Sequence, residues 1–279
     1  MKVLITGASG QLGQAFQFIA EDYKDASFYF TDSRDGNITD KAKLDLLFNT
    51  VQPDYCINAA AYTAVDKAED EQDIARLINV EGAANLAATC KKHGVILIHI
   101  STDFVFDGSK NKPYTEEDPT NPQSVYGLTK RDGELRIQET LQNYFIIRTS
   151  WVYSDFGNNF MKTMLRAAKE RPSLNVVDDQ TGTPTHAVDL AKAIMHIITL
   201  GIEAYGIYNF SNEGETTWYG FAKKIFEVNN IGVEVKPIPT AQYPTPAKRP
   251  SYSVLDKGKI RKTFGIEIRN WEEALIKNE

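Results

Sequence analysis

The sequence predicts an α/β fold, a doubly wound parallel sheet with a smaller C-terminal lobe beside it. Two observations carry this expectation. Short apolar runs rich in β-branched residues alternate with longer helical patterns through residues 1–152 of the 279. That alternation argues for a parallel sheet covered by helices on both faces. The second observation is the opening stretch MKVLITGASGQLG. Its apolar run at 2–6 reads as a buried strand. The run breaks at Gly7, glycines return at Gly10 and Gly13, and a helix pattern follows at once, with Leu12, Phe16, Ile19 and Ala20 on one face. Strand, glycine turn and helix form the first half of a Rossmann-type βαβ unit. Its glycines allow a tight turn and let backbone N–H groups approach a diphosphate at the helix N-terminus. The spacing is GxxGxxG, not GxGxxG, and turns also select glycine. The position between strand and amphipathic helix favours a dinucleotide site.

The remaining elements follow in order. Residues 27–32 (SFYFTD) form a second strand that ends in an acid, and Thr39 or Asp40 caps a helix through Leu44, Leu47 and Phe48. A third strand covers 55–60 (YCINAA). A long helix spans 71–93, with Ile74, Leu77, Ile78, Ala84, Leu86 and Ala87 as its apolar positions and Gly94 as its stop. A fourth strand at 95–102, a helix at 124–142 and a fifth strand at 144–152 complete the sheet. Ligands of such sheets bind at the carboxyl ends of the strands. That edge carries 7–13, Asp32, 60–63, Thr102 and Trp151. Beyond 152 the pattern loosens. Helices are expected at 159–169, 187–198 and 217–228, strands at 174–177, 206–211 and 233–238, and two short helical patterns at 260–277. The expected division is a nucleotide-binding domain of 1–152 plus about 186–200, and a substrate lobe of about 153–185 and 201–279.

Composition narrows the function. The net charge is −6, which argues against nucleic acid as a partner. No apolar run is long enough to span a bilayer, and no basic leader precedes the first strand. Cys56 and Cys90 read as buried small hydrophobes. These features fit a cytoplasmic protein without a membrane partner. The four histidines (His93, His99, His186, His196) show no ligand spacing and read as ordinary structural residues.

The chemistry centres on Tyr126 and Lys130, four apart in SVYGLTK and so on one helical face. A neighbouring ammonium favours phenolate and is expected to lower the phenol from about 10 toward neutrality. A phenol so tuned can exchange a proton near pH 7. A half-buried Tyr beside a solvated Lys gives the same spacing. Thr102 ends the fourth strand in HISTDFVF, where its hydroxyl can reach a substrate carbonyl oxygen. Glycine loop, Thr102 and the Tyr126/Lys130 pair together supply a cofactor site, a carbonyl polariser and a proton donor. Asp32 can accept from adenosine ribose hydroxyls, which favours NAD, while Arg34 can hold a 2′-phosphate. Asn79 stands either against main chain near the site or at the surface. Trp151 is core or a contact for sugar or nicotinamide. Arg249 either pairs with a nucleotide diphosphate or lies free at the surface.

Five stretches, TGASGQLG, NAAAYTAVD, STDFVFDG, YGLTK and RTSWVY, together resemble the extended short-chain dehydrogenase/reductases, and within them the dTDP-4-dehydrorhamnose reductases. The resemblance runs on to RPSYSVLD at 249–256. It implies reduction of the C4 ketone of dTDP-4-dehydro-L-rhamnose with NADPH, NADH being possible. It places Gly7, Gly10, Gln11, Leu12 and Gly13 at the cofactor diphosphate. Asp32, Asn37 and Ile38 fall near the adenosine, and Ala61, Tyr62 and Thr63 along the cofactor path. Tyr126 becomes the proton donor, Lys130 its tuner and ribose ligand, and Thr102 the carbonyl partner, with Thr102, Asp103, Tyr126 and Trp151 facing the sugar. Some relatives carry an acid just after the glycine loop, where a metal is proposed. Here the stretch is QAFQ, with Ala15, and no metal is expected. A homodimer is possible. Two alternatives remain: a sister nucleotide-sugar reductase, epimerase or dehydratase, or a non-catalytic regulatory subunit of the same fold. A dehydratase needs an acidic pair after the Thr, and here Asp103 precedes Phe104. A regulatory chain has no need of Tyr126 or Lys130, and both are present.

Overall fold

In the computed structural model, which describes residues 1–276, the first half is β1 (Lys2–Thr6), α1 (Gln11–Ile19), β2 (Ser27–Thr31), α2 (Lys41–Val51) and β3 (Tyr55–Asn58), then α3 (Gln72–Arg76), α4 (Gly82–His93), β4 (Ile96–Thr102), α5 (Val125–Thr140) and β5 (Tyr144–Thr149). The second half holds β6 (Val152–Tyr153), α6 (Phe160–Glu170), β7 (Ser173–Val177), β8 (Thr181–Gly182), β9 (Thr185–His186), α7 (Ala187–Leu200) and β10 (Gly206–Asn209), then β11 (Thr216–Thr217), α8 (Trp218–Val228), β12 (Glu234–Ile238), α9 (Gly258–Phe264) and α10 (Trp271–Leu275). Lys277, the end of the last expected helical pattern, lies outside the described residues.

Six strands form one sheet in the order β10-β5-β4-β3-β1-β2. Every pairing in it is parallel. Alternate strand residues build the two faces. Val3, Ile5, Ile57, Ile98 and Ile147 point to the side covered by α1 and α7. Leu4, Cys56, Leu97 and Ile146 point to the side covered by α2 and α4. Because both faces are buried, these strands are continuously apolar and not alternating. Parallel pairing also brings Thr6, Thr31, Asn58, Thr102 and Thr149 to one edge. A separate core of Tyr153, Met161, Leu174, Phe221, Ile225 and Trp271 holds the smaller lobe.

Three elements depart from expectation. The helix expected at 71–93 is α3 and α4 joined by a π turn, Leu77–Glu81. Ile74 and Leu77, expected on its buried face, are exposed, while Ala75, Asn79 and Val80 are buried. A π turn inserts one residue, so a face read at constant 3.6-residue spacing is out of phase across it. The strand expected at 144–152 breaks at Trp151, whose φ is +46°, and β6 turns away to pair with β9. Finally, β10 joins the main sheet beside β5, although the sequence reading puts 201–279 in the smaller lobe. Ile260 and Phe264 of α9 also enter the main core. Among the described residues no helix is long and apolar enough to cross a membrane.

Candidate active site

The glycine loop runs close over the end of β3. Gly7 has φ +74°, and a Cβ there would stand 2.5 Å from the Ala60 nitrogen. At Gly13 a Cβ would meet Ala8 and the Gly7 carbonyl, both at 2.5 Å. Gly10 is the N-cap of α1, with no side-chain cap and no acid in the first turn. The helix N-terminus therefore offers backbone N–H groups and a positive dipole end to an anion. Two predicted ligands contribute no free side chain here. The Gln11 amide oxygen accepts from Ser154 Oγ (3.1 Å) and Asn159 Nδ2 (2.9 Å), and Leu12 is buried in the core.

At the end of β2, Arg34 lies on Asp32 at 2.9 Å and holds its carboxyl below the usual range. Asn37 accepts from the Thr39 N–H and hydroxyl. The Ile38 side chain is core beneath them. Ala61, Tyr62 and Thr63 follow β3 as an irregular segment, and Asn79 fixes it. Tyr62 N donates to Asn79 Oδ1 at 2.9 Å, and Asn79 Nδ2 donates to Tyr62 O and to Thr129 Oγ1, both at 3.1 Å. The choice left open for Asn79 is thus decided for main chain, on the π turn. Glu71 accepts from the Tyr62 hydroxyl and pushes that phenol up to about 12.

The proposed catalytic residues meet where α5 abuts the end of β4. Ser124 caps α5 by accepting from Gly127 N at 3.2 Å. A Cβ on Gly127 would come within 2.2 Å of the Phe104 carbonyl oxygen. That close approach sets Tyr126 beside Thr102. The Thr102 hydroxyl donates to Asp103 Oδ1 at 3.0 Å and accepts from Phe104 N at 3.2 Å. Phe104 packs edge-on against the Tyr126 ring. Lys130, one turn on, is buried. Its Nζ donates to the Ile100 carbonyl at 2.6 Å and stands 3.2 Å from His99 Nε2.

The protonation balance differs from the sequence expectation. Burial pushes the Tyr126 phenol up to about 12, opposed by the Thr102 hydrogen bond and aided by Asp103. Burial pushes Lys130 down to about 8. Desolvation disfavours charge on both groups, so Lys130 does not draw the phenol toward neutrality in the ligand-free chain. Burial likewise raises the Asp103 carboxyl to about 6, against the hydrogen bond from Thr102 and the nearby Ser253. Asp103 Oδ2 is buried without a protein partner.

Trp151 lies flat on Trp218, with ring centroids 3.5 Å apart. A Cβ on Gly182 would be 2.6 Å from its ring. Arg249 is not a free surface cation. It makes a two-pronged ion pair with Asp66, Nη1 to Oδ1 at 3.0 Å and Nη2 to Oδ2 at 2.8 Å. The structure adds His99, Asn58, Ser253, Trp218 and Asp66 to the residues singled out from sequence. Each meets its partner through sheet register or a lobe contact, such as Asn58↔His99 between β3 and β4, which no linear spacing displays. Among the described residues no group of three or more His, Cys, Asp and Glu side chains gathers as a metal site.

The model of the RmlD substrate binding domain matches residues 1–278. The chain is 41% identical to dTDP-4-dehydrorhamnose reductase of Sinorhizobium fredii, covering 98% of this chain and 95% of that one. The chain belongs to the dTDP-4-dehydrorhamnose reductase family. To the Escherichia coli reductase it is 38% identical, with coverage of 98% and 95%. Among solved structures, the reductase of Clostridium acetobutylicum superposes with a TM-score of 0.94 at 44% identity, over 99% of this chain and 97% of that one. The Bacillus anthracis family member, solved in complex with NADP, superposes with a TM-score of 0.93 at 40% identity, over 98% and 96%. The sheet and the smaller lobe described above are therefore those of the family.

Proposed function

We infer that this chain is a dTDP-4-dehydrorhamnose reductase, which reduces the C4 ketone of dTDP-4-dehydro-L-rhamnose to dTDP-L-rhamnose with NAD(P)H in dTDP-rhamnose biosynthesis. The carrying observation is the placement of Tyr126 beside Thr102 at the carboxyl end of β4, one helical turn from buried Lys130. The glycine cradle and the uncapped N-terminus of α1 fit a dinucleotide diphosphate, bound through backbone N–H groups of the loop and α1. Once bound, the nicotinamide supplies the hydride. The protein supplies proton, polarisation and position. With its phenol near 12, Tyr126 keeps its proton at neutral pH. An alkoxide is a much stronger base than a tyrosinate, so transfer from Tyr126 to the nascent alkoxide runs downhill. Thr102 hydrogen-bonds the developing negative charge, and Lys130 stands behind Tyr126 as the ribose ligand. The exposed part of the Trp151 ring flanks the sugar.

NADPH is the preferred cofactor in this reading. Arg34 covers the Asp32 carboxylate, which offsets its pull for unphosphorylated ribose and presents a guanidinium to a 2′-phosphate. Arg34→Ala should raise KM for NADPH and leave that for NADH nearly unchanged; equal effects would remove Arg34 from the phosphate. The homodimer that the sequence leaves possible has the exposed apolar Ile74 and Leu77 on α3 and the π turn, with Leu128 and Leu135 on the neighbouring α5, in its support. Sedimentation at micromolar concentration tests it, and a monomer overturns it. The central test is NADPH oxidation with dTDP-4-dehydro-L-rhamnose generated in situ. Turnover that needs both the sugar nucleotide and Tyr126 is expected, and none with the purified folded protein would sink the assignment.

A further inference from the structure

A buried polar chain lies beneath the proton donor and ends on a histidine for which the mechanism above has no use. His99, on β4, is 1% exposed, and both its ring nitrogens have neighbours. Asn58 Nδ2 is 3.0 Å from Nδ1, and Lys130 Nζ is 3.2 Å from Nε2. A neutral imidazole carries one N–H, so one contact is accepted and the other donated. The surroundings decide which is which. Ala60 N, a backbone donor, points at Asn58 Oδ1 at 3.2 Å, and the Thr6 hydroxyl donates to the same oxygen at 2.8 Å. A flipped amide would set the Ala60 N–H against an NH₂ group, so the oxygen stays where it is and Nδ2 faces His99. Nδ2 can only donate, hence His99 Nδ1 accepts and the ring proton sits on Nε2. That proton points at Lys130 Nζ, which can accept it only through a lone pair.

We propose that Asn58 and His99 form a positioning relay that holds Lys130 as a neutral amine in the ligand-free enzyme at mildly alkaline pH, the amine accepting from His99 Nε2–H while donating to the Ile100 carbonyl. The charged groups around it agree with this. Glu134, on the same helix as Lys130, is the anion that favours the ammonium. Its oxygens are engaged by Arg148 at 3.0 and 2.7 Å and by Ser101. Tyr126, one turn before Lys130, is protonated, and Asp103 bonds Thr102 on the far side of that phenol. Asn58, from β3, carries no charge. Burial lowers both Lys130 and His99, His99 the more for its lysine neighbour, so burial opposes charge on both.

The relay gives Lys130 two exclusive arrangements. As an amine it accepts from His99. As an ammonium it must release the Nε2–H and turn its donors to the Ile100 carbonyl and a ligand oxygen. If Lys130 is the ribose ligand, which rests on the proposed function, cofactor binding takes up a proton from solvent, in part near pH 8 and nearly a whole one at higher pH.

The test uses the ligand-free enzyme, so it stands or falls apart from the substrate assignment. ¹⁵N correlation spectra of His99 should show the proton on Nε2. ¹³C-labelled lysine should show one residue, assigned by its absence in Lys130→Met, titrating about two pH units below the rest. His99→Gln places an amide oxygen where an ammonium can donate, and should move that titration up by a unit or more. A purely structural histidine would leave it in place. A ring proton on Nδ1, a Lys130 that titrates with the surface lysines, or a His99→Gln titration at the wild-type pH would each overturn the relay. If His99→Gln does not fold, the two wild-type spectra decide.

Discussion

Tyr126 and Lys130 show how far burial can override spacing at the scale of a residue. Their four-residue separation is legible in YGLTK. The direction of their shifts is not, because it depends on desolvation that only the packed structure reveals. Tyr126→Phe should keep the fold and cofactor affinity and lower kcat by about 10² or more, since it removes the proposed general acid. A folded variant with near-wild-type turnover would dismiss Tyr126 as donor. Asp103 gives a prediction with a sign. Its folded pKa is about 6, above the ordinary 3.8, because burial penalises the carboxylate. The folded state therefore holds this proton more tightly than the unfolded chain. The stability tied to it is present below about pH 4 and is lost as pH rises through about 6. Asp103→Asn removes the titration, so its urea midpoint relative to wild type should improve between pH 4 and pH 7. A difference constant across that range would contradict the buried ionisation.

Elements were legible where periodicity was regular. The strand at 2–6, the glycine turn and the stop at Gly94 follow from local residue chemistry, and the structure places β1, the loop and the end of α4 there. Periodicity failed at the π turn, because an inserted residue leaves no mark in composition. It failed again at Trp151, where Trp218 and the absence of a side chain on Gly182 hold the ring and accompany a left-handed backbone that the apolar run TSWVY does not signal. The seating of α5 on β4 could have been suspected from the Gly in YGLTK, yet only the 2.2 Å approach to the Phe104 carbonyl gives it a reason. Gly127→Ala should force α5 away from that carbonyl. A stability loss of about 1–3 kcal/mol is expected for overpacking of this kind. Because the shift separates Tyr126 from Thr102, kcat should fall much more than KM for NADPH rises. Crystals of the variant with α5 unmoved, together with unchanged kcat, would refute the link between this contact and the site.

On the scale of the whole molecule, the two lobes are joined by contacts that no local pattern displays. Gln11 of the glycine loop reaches Asn159 and Ser154 at the entrance to α6. Asp66, from the segment after β3, accepts from Arg249 and from the Ala247 N–H in the proline-rich loop at 239–250. The sequence singles out Arg249 as a cation for the nucleotide diphosphate, because its partner lies 183 residues away and cannot be read from spacing. In the structure its guanidinium is already matched by a carboxylate, and the pair straps the loop against the segment after β3. Both side chains are partly exposed, so the pair should couple by only about 0.5–1 kcal/mol in a stability double-mutant cycle. Its effect on binding should be larger in kind if the lobe proposed to receive the sugar nucleotide includes the strapped loop. Arg249→Ala and Asp66→Ala should each raise KM for dTDP-4-dehydro-L-rhamnose by a similar factor, and the double variant should be no worse than either single one, since all three release the same loop. An Arg249 that instead binds the diphosphate would behave differently. Asp66→Ala would then free the guanidinium and tighten dTDP binding, while Arg249→Ala would weaken it, and titration of dTDP against the three variants separates the two roles.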